Sequence, residues 1–187
     1  LNEYDFSYFA GPINDVLHGK YLLHNSPSQY GFLSIIFLSL IFKFVPLSLM
    51  NLTIVNAAIV TLGFILVFFL LQLLFKNKLF SLFTIIFIIF TNHTIQIMPE
   101  IVFLQTNFIR FGMWVLLALS ICLREFYTGK EYKRLVSILT YVALTISFYW
   151  ILDNGLYLLA TYLTFVTFNN LSQSFWKTVK NCLQEYA

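Results

Sequence analysis

From residue 53 onward the chain is written in long runs of Phe, Leu and Ile, broken only at short polar points. Five apolar segments stand out, at roughly 53–75, 79–98, 105–123, 135–152 and 155–170. Lys76-Asn77-Lys78, Met98 to Thr106, Arg124 to Arg134 and the tight Asp153-Asn154-Gly155 connect them. Each segment is about as long as a helix must be to cross roughly 30 Å of hydrocarbon. A sixth apolar stretch, 32–49, contains Lys43 and Pro46. It reads either as a full crossing or as a juxtamembrane or re-entrant helix, with Lys43 snorkelling towards the interface and Pro46 closing it.

Ahead of these runs lies "EYDFSYFAGPINDVLHGKYLLHNSPSQYGF", where acids, histidines, prolines and glycines gather. Gly11-Pro12 predicts a helix start, because proline at the first helical position has no N–H to leave unsatisfied. Asn14 and Asp15 fall in the first turn, His18 in the last, and Gly19 is placed for a left-handed cap. Ile13, Val16 and Leu17 share one face, so the segment reads as a two-turn amphipathic helix lying on a membrane surface.

Composition agrees with the pattern. Apolar residues are 59% of the chain and charged residues 10%, against about a quarter charged in a soluble domain. Mean hydropathy is +0.81. The net charge of +3 does not point to nucleic acid, because the cations sit in short loops rather than on one face. Cys122 and Cys182 show neither metal spacing nor a disulfide framework. The chain opens on Leu1 without a signal peptide and ends in Gln184-Glu185-Tyr186-Ala187, which reads as a fragment of a longer protein.

Charge also orients the segments. Five crossings from residue 53 put Lys76 and Lys78, the Arg124 to Arg134 cluster, and Lys177 and Lys180 on one side, eight of the eleven cations. By the positive-inside rule that side is cytoplasmic. Glu100 and Asp153 then fall outside, and so does the opening stretch. The expected fold is all-α: a polytopic transmembrane bundle with a juxtamembrane amphipathic helix in an external loop. Residues 1–52 form that loop, 53–170 five transmembrane helices, and 171–187 a cytoplasmic tail or the start of a next segment.

Ionisable groups at membrane depth are the strongest pointers to function in such a chain. Arg110 lies about five residues into segment 105–123, where it either snorkels, pairs with Glu100, or meets an anionic ligand. Asp153 is either a turn residue or an acid beside Tyr149 and Trp150 that contacts a polar substrate. His93, in "TNHTIQ", lines the same outer region or marks the helix end. Glu3 and Asp5, at a membrane surface, can act as a general base or bind a divalent cation, although solvated loop acids are the commoner case.

The opening stretch, "EYDFSYFAGPINDVLHGKYLL" followed by "SQYGFLSIIFLSLIFKFVPLS", resembles the first external loop of the GT-C superfamily of polytopic glycosyltransferases, including the protein O-mannosyltransferase and aminoarabinose-transferase types. The matching elements are Asp5 or Glu3, Tyr8, Leu17-His18-Gly19, Tyr30-Gly31-Phe32 and Phe42-Lys43-Phe44. The resemblance covers about residues 1–80 and is carried by several weak signals together. It departs from the family where Glu3-Tyr4-Asp5 replaces an adjacent Asp-Glu pair, so either acid can correspond to the catalytic one, and where the first transmembrane helix is absent. It implies inverting transfer of a sugar from a polyprenyl-phosphate-linked donor to an acceptor on the outer face. Asp5 or Glu3 would be the base, or would orient the acceptor and any metal. Arg110, with Lys20, His18 and His24 behind it, would stabilise the departing lipid phosphate. The implied setting is a multi-pass protein of a bacterial inner membrane. Two other classes stay open. A transporter or flippase should show Gly- or Pro-broken helices in paired positions and ionisable groups at mid-membrane, whereas here the polar groups cluster at the outer ends; a non-catalytic scaffold or assembly subunit is equally compatible with the sequence.

Overall fold

A computed structural model of the chain describes residues 3–26, 28, 31–95, 108–126 and 129–185. Its elements are helices throughout: α1 (Glu3–Leu17), α2 (Leu33–Phe42), α3 (Leu49–Phe75), α4 (Lys78–Ile95), α5 (Phe108–Phe111), α6 (Met113–Phe126), α7 (Lys130–Trp150) and α8 (Leu152–Glu185). No strand occurs among the described residues, and the all-α expectation holds.

α3 is the longest helix without a charged residue. Ser48 sits extended before it and accepts the N–H of Asn51 at 3.2 Å, a side-chain cap for the first turn. At the far end Lys76 turns left-handed at φ 52°, and Asn77 Oδ1 accepts the N–H of Phe80 to start α4. The expected basic turn is therefore two residues long. At about 1.5 Å per residue, α3 reaches roughly 40 Å. Among the described residues it is the one helix long and apolar enough to cross a membrane. Only 28% of its most apolar window is buried inside the protein, unlike the core helix of a soluble domain. The hydroxyls on these helices are satisfied locally. Thr53, Thr61, Thr84, Ser137 and Thr140 each donate to the carbonyl four residues back, so they add little polarity to an apolar face.

The structure starts α3 at Leu49 rather than 53 and runs α8 on to Glu185, past the expected end at 170, and it departs further from the sequence reading in three places. Segment 105–123 is not one helix among its described residues: α5 and α6 meet at Gly112, whose N–H goes to the Phe108 carbonyl at 2.8 Å. The break tips Phe108 onto α3. Its ring sits over Gly63, where a Cβ would lie 2.3 Å from Phe108 Cδ1, and edge-on to Phe64 at 5.3 Å. Second, the turn expected at Asp153-Asn154-Gly155 is a single extended residue, Ile151, and those three residues form the first turn of α8. Gly155 is needed there as a contact, since a Cβ would come within 2.6 Å of Phe148 Cα. The hairpin continues with Tyr141 and Tyr162 in edge contact at 6.2 Å. Third, α1 begins at Glu3, eight residues before Gly11, and carries Pro12 inside it. Pro12 removes one backbone donor, but Phe9 and Ile13 on either side are fully buried with Ile35, Leu38, Phe42, Leu52 and Ile109. Each such side chain contributes about 1.5–3 kcal/mol of burial, enough to outweigh one lost hydrogen bond.

The end of α1 is as expected. Gly19 adopts φ 81°, its N–H reaches the Val16 carbonyl at 3.0 Å, and that of Lys20 reaches Asp15 at 2.9 Å. This paired closure is a Schellman cap.

The short connections after α3, α6 and α7 make the pairs α3–α4, α6–α7 and α7–α8 antiparallel. Lys76 Nζ lies 5.4 Å over the Phe126 ring, so the α3–α4 turn and the end of α6 share one end. α1, α2, α5 and the start of α3 share the other, through their common cluster. The α7–α8 elbow joins them there.

Candidate functional site

Between α1 and α2 lies a segment whose described residues, 20–26, 28, 31 and 32, are held at both ends and meet the α7–α8 elbow. At its start Lys20 Nζ reaches Asp15 Oδ1 at 2.7 Å, and buried Ser26 also bonds the Asp15 carboxylate. Leu23, in the left-handed region at φ 68°, donates its N–H to the Ser26 carbonyl at 2.8 Å, closing a tight loop. At its finish Ser28 Oγ donates to the Gly31 carbonyl at 2.8 Å. The Phe32 N–H then reaches the Tyr149 carbonyl at 3.2 Å. The last carbonyls of a helix have no partner inside it, so α7 offers a ready acceptor to this segment.

Trp150 fastens the same corner. Its Nε1–H donates to the carbonyl of Ile109, 41 residues away in α5, at 2.6 Å. Its ring meets Phe37 of α2 with centroids 5.5 Å apart. Its own carbonyl lies where any side chain on Gly31 would have to go.

Between segment and elbow lies a cavity of about 870 Å³. Leu23, Phe32, Phe148 and Ile151 make much of its wall, and Ser28, Thr145, Tyr149 and Asp153 bring polar atoms to it. A smaller cavity of about 460 Å³ separates α1 from the start of α3, with Ser7, Asn14 and Ser48 among its lining.

The residues singled out by sequence fall as follows. Asp153 lines the large cavity, on the first turn of α8, with Oδ1 accepting the Asn154 N–H at 2.9 Å. Lys20 is engaged by Asp15. His18 is exposed, its Nδ1 2.8 Å from the Asn14 carbonyl, and His24 is exposed, its Nδ1 2.9 Å from Asn25 Oδ1. Glu3 and Asp5 lie in the first turns of α1, Arg110 in α5 and His93 near the end of α4; their side chains lie outside the described residues, and so does Glu100. Among the described residues no cluster of His, Cys, Asp and Glu is placed to hold a metal ion. Ser28, Thr145 and Phe148 were not expected. Their spacing carries no motif, and only the return of the chain onto α7 brings them together.

The Asp15 clasp has a pH signature. The hydrogen bond from Lys20, then that from Ser26, holds the Asp15 carboxyl below the usual carboxylate range. A lowered value in the folded state means the ionised form favours the clasp. Its contribution is complete above the ordinary aspartate value of about 3.9 and fades as pH falls through the lowered one. Backbone hydrogen exchange at 20–26 should therefore be flat from pH 5 to 8, after correction for intrinsic rates, and rise in strong acid. A D15N variant should show the faster exchange at every pH; equal protection in that variant would remove the clasp from the explanation.

Compared with family models, curated proteins and solved structures, the chain has no match.

Proposed function

We propose that the chain belongs to a multi-pass membrane protein whose working face is the end carrying α1, and that this face transfers a sugar from a polyprenyl-phosphate-linked donor. The membrane part of the reading is supported by apolar side chains left outside the fold. Leu79, Phe83, Phe87 and Phe90 of α4 are 63–69% exposed, and Leu62, Phe69, Leu139, Leu163 and Phe168 on other helices are more than half exposed. Soluble proteins rarely leave contiguous apolar patches of this kind to water, whereas lipid accepts them. α4, α6, α7 and α8 would then cross beside α3. Basic turns at the Lys76 end fit a cytoplasmic side, and the opposite end an outer one.

The observation that carries the enzymatic reading is the large cavity at the α1 end, closed by the polar segment that follows the acid-bearing helix. A cavity of this volume suits a small ligand. Its mixed lining suits a substrate with one polar and one apolar part. With the GT-C resemblance of residues 1–80, Asp5 or Glu3 is the candidate base and Arg110 the candidate partner of the lipid phosphate. D5N in the full-length protein should abolish glycosyl transfer with expression intact. Full activity in D5N combined with E3Q would overturn the catalytic assignment.

One observation favours a second reading, a transporter or flippase. The α5–α6 break at Gly112, beside Arg110, is the kind of discontinuous helix that builds substrate sites in transporters. Substrate movement across sealed vesicles without any sugar transfer would select it.

A further inference from the structure

We infer that the outward side of α8 is the surface through which two copies of this chain pair in the membrane, with α8 lying parallel to the second copy's α8. The inference rests on reading α8 as a membrane-crossing helix, and not on glycosyl transfer itself.

α8 spends one side on the rest of the fold. Gly155 lies against Phe148 of α7, and Leu158 and Tyr162 are buried with Leu117 and Leu144. The other side carries Tyr157, Thr161, Thr164, Phe168, Leu171 and Phe175, spaced by four, three, four, three and four. Tyr157 and Phe168 are each 73% exposed and Leu171 63%, and both threonines are exposed. A groove of about 570 Å³ runs along this side. Its lining includes the small residues Ala160, Thr161 and Thr164, with Tyr157 before them in sequence and Phe168 after them.

A stripe that recurs every 3.5 residues keeps facing a second helix wound around it left-handedly. Lipid has no such period to match, and it does not reach the whole stripe. α8 has 34 residues and is roughly 50 Å long, whereas the hydrocarbon takes about 20 residues of helix. The helix runs unbroken to Glu185, so beyond about residue 172 it leaves the hydrocarbon without turning along the surface. In sequence Phe175, Val179 and Cys182 keep to the stripe's side of the helical period there, with Gln173, Lys177 and Lys180 on the other. A helix packed alongside takes that apolar side out of water. Within the membrane, small residues let two helix backbones approach closely. Thr161 and Thr164 give their hydroxyl hydrogens to the Tyr157 and Ala160 carbonyls, each at 2.8 Å, so neither brings an unmet donor to the contact.

The stripe fits its own copy. Two copies in one membrane share an orientation, so their α8 helices meet parallel and in register, and each position opposes itself. Threonine then faces threonine where the backbones are closest, and aromatic faces aromatic on either side. Residues 154–176 carry no charge, so the pairing sets no like charges against each other. The positions flanking the stripe, where ion pairs would select an unlike partner, are Phe165, Thr167, Ser172 and Ser174.

The test uses full-length protein in native membranes, with Cys122 and Cys182 replaced and single cysteines introduced on α8. T161C and T164C lie on the stripe, while L163C, at a position 55% exposed, lies on another side at the same depth. A disulfide needs Cβ atoms about 4 Å apart, so on mild oxidation T161C and T164C should dimerise at least about tenfold faster than L163C. Copies co-expressed with two different tags should both be found in the product. Absence of a dimer from both threonine positions overturns the pairing and leaves the groove to lipid. Equal rates at all three positions, or a product that joins one copy to a different protein, overturns it as well. The chain with its native residues gives a second measurement. Fluorescently tagged and extracted with its lipid into nanodiscs, it should bleach in two steps, and single steps throughout overturn the proposal. Labelling of N25C from outside, in protein that fails these tests, removes the pairing alone. Recovery of the protein outside the membrane fraction removes the reading beneath it.

Discussion

Replacing Gly31 with alanine should detach the Lys20–Phe32 segment from the α7–α8 elbow and open the large cavity. Two effects act together. Gly31 holds φ 92°, a conformation that costs an L-residue about 1–2 kcal/mol. A Cβ there would also lie within 1.8 Å of the Trp150 carbonyl oxygen and 2.6 Å of its carbon. Both are backbone atoms at a helix end, so no rotamer change relieves the overlap. Forced overpacking of this kind adds about 1–3 kcal/mol, enough for the segment to move. Gly11 provides the control, because a Cβ there meets nothing within 4 Å and alanine inside a helix is favoured by roughly 0.5–1 kcal/mol. G31A should lower the thermal midpoint in detergent and expose Ser28, read as labelling of an S28C reporter. G11A should do neither. Equal behaviour of the two variants would mean that the segment is not seated on α7.

The second large effect is expected at Trp150. In W150F the ring still meets Phe37, but the Nε1–H donation to Ile109 is gone. The net contribution of such a bond is about 0.5–1.5 kcal/mol, and the Ile109 side chain beside it is 1% exposed. The bond ties α7 to the short α5, whose single turn cannot hold itself in place. W150F should therefore raise hydrogen exchange at Ile109 and its neighbours in α5 while leaving α3 protected. If Arg110 binds the lipid phosphate, sugar transfer should fall through a higher KM for the lipid donor. Uniform loss of protection across all helices would make Trp150 an ordinary packing residue.

Much of this layout is legible in the sequence, for identifiable reasons. α3 shows itself because its apolar run is long and its far limit is marked by Lys76-Asn77, whereas its start lies at Leu49, four residues ahead of the expected 53, where Ser48 caps the first turn. Gly19 is legible because a left-handed cap after a helical turn wants glycine. The α7–α8 turn is misplaced by two residues because Asp-Asn-Gly is a turn sequence locally. Here Gly155 is claimed instead by the close approach to Phe148, a contact between residues that local propensity does not see. The start of α1 is misplaced because Pro12 is a good first residue. The burial of Phe9 and Ile13 against α2 overrides that preference. The cavity is the least legible feature. Asp153 could be named as an acid near Tyr149, but Ser28, Thr145 and Phe148 join it only through the docking of Gly31 and Phe32 on the end of α7.

The most direct test of the central claim is the sidedness of three exposed positions, with Cys122 and Cys182 replaced beforehand. N25C reports the segment over the cavity, N77C the α3–α4 turn and G129C the α6–α7 connection. Intact cells are treated with a membrane-impermeant maleimide before and after permeabilisation. The expected result is N25C labelled from outside at once, and N77C and G129C labelled only once the membrane is opened. Labelling of N25C and N77C from the same side, or recovery of the protein outside the membrane fraction, would contradict a chain that crosses the bilayer with its cavity facing out.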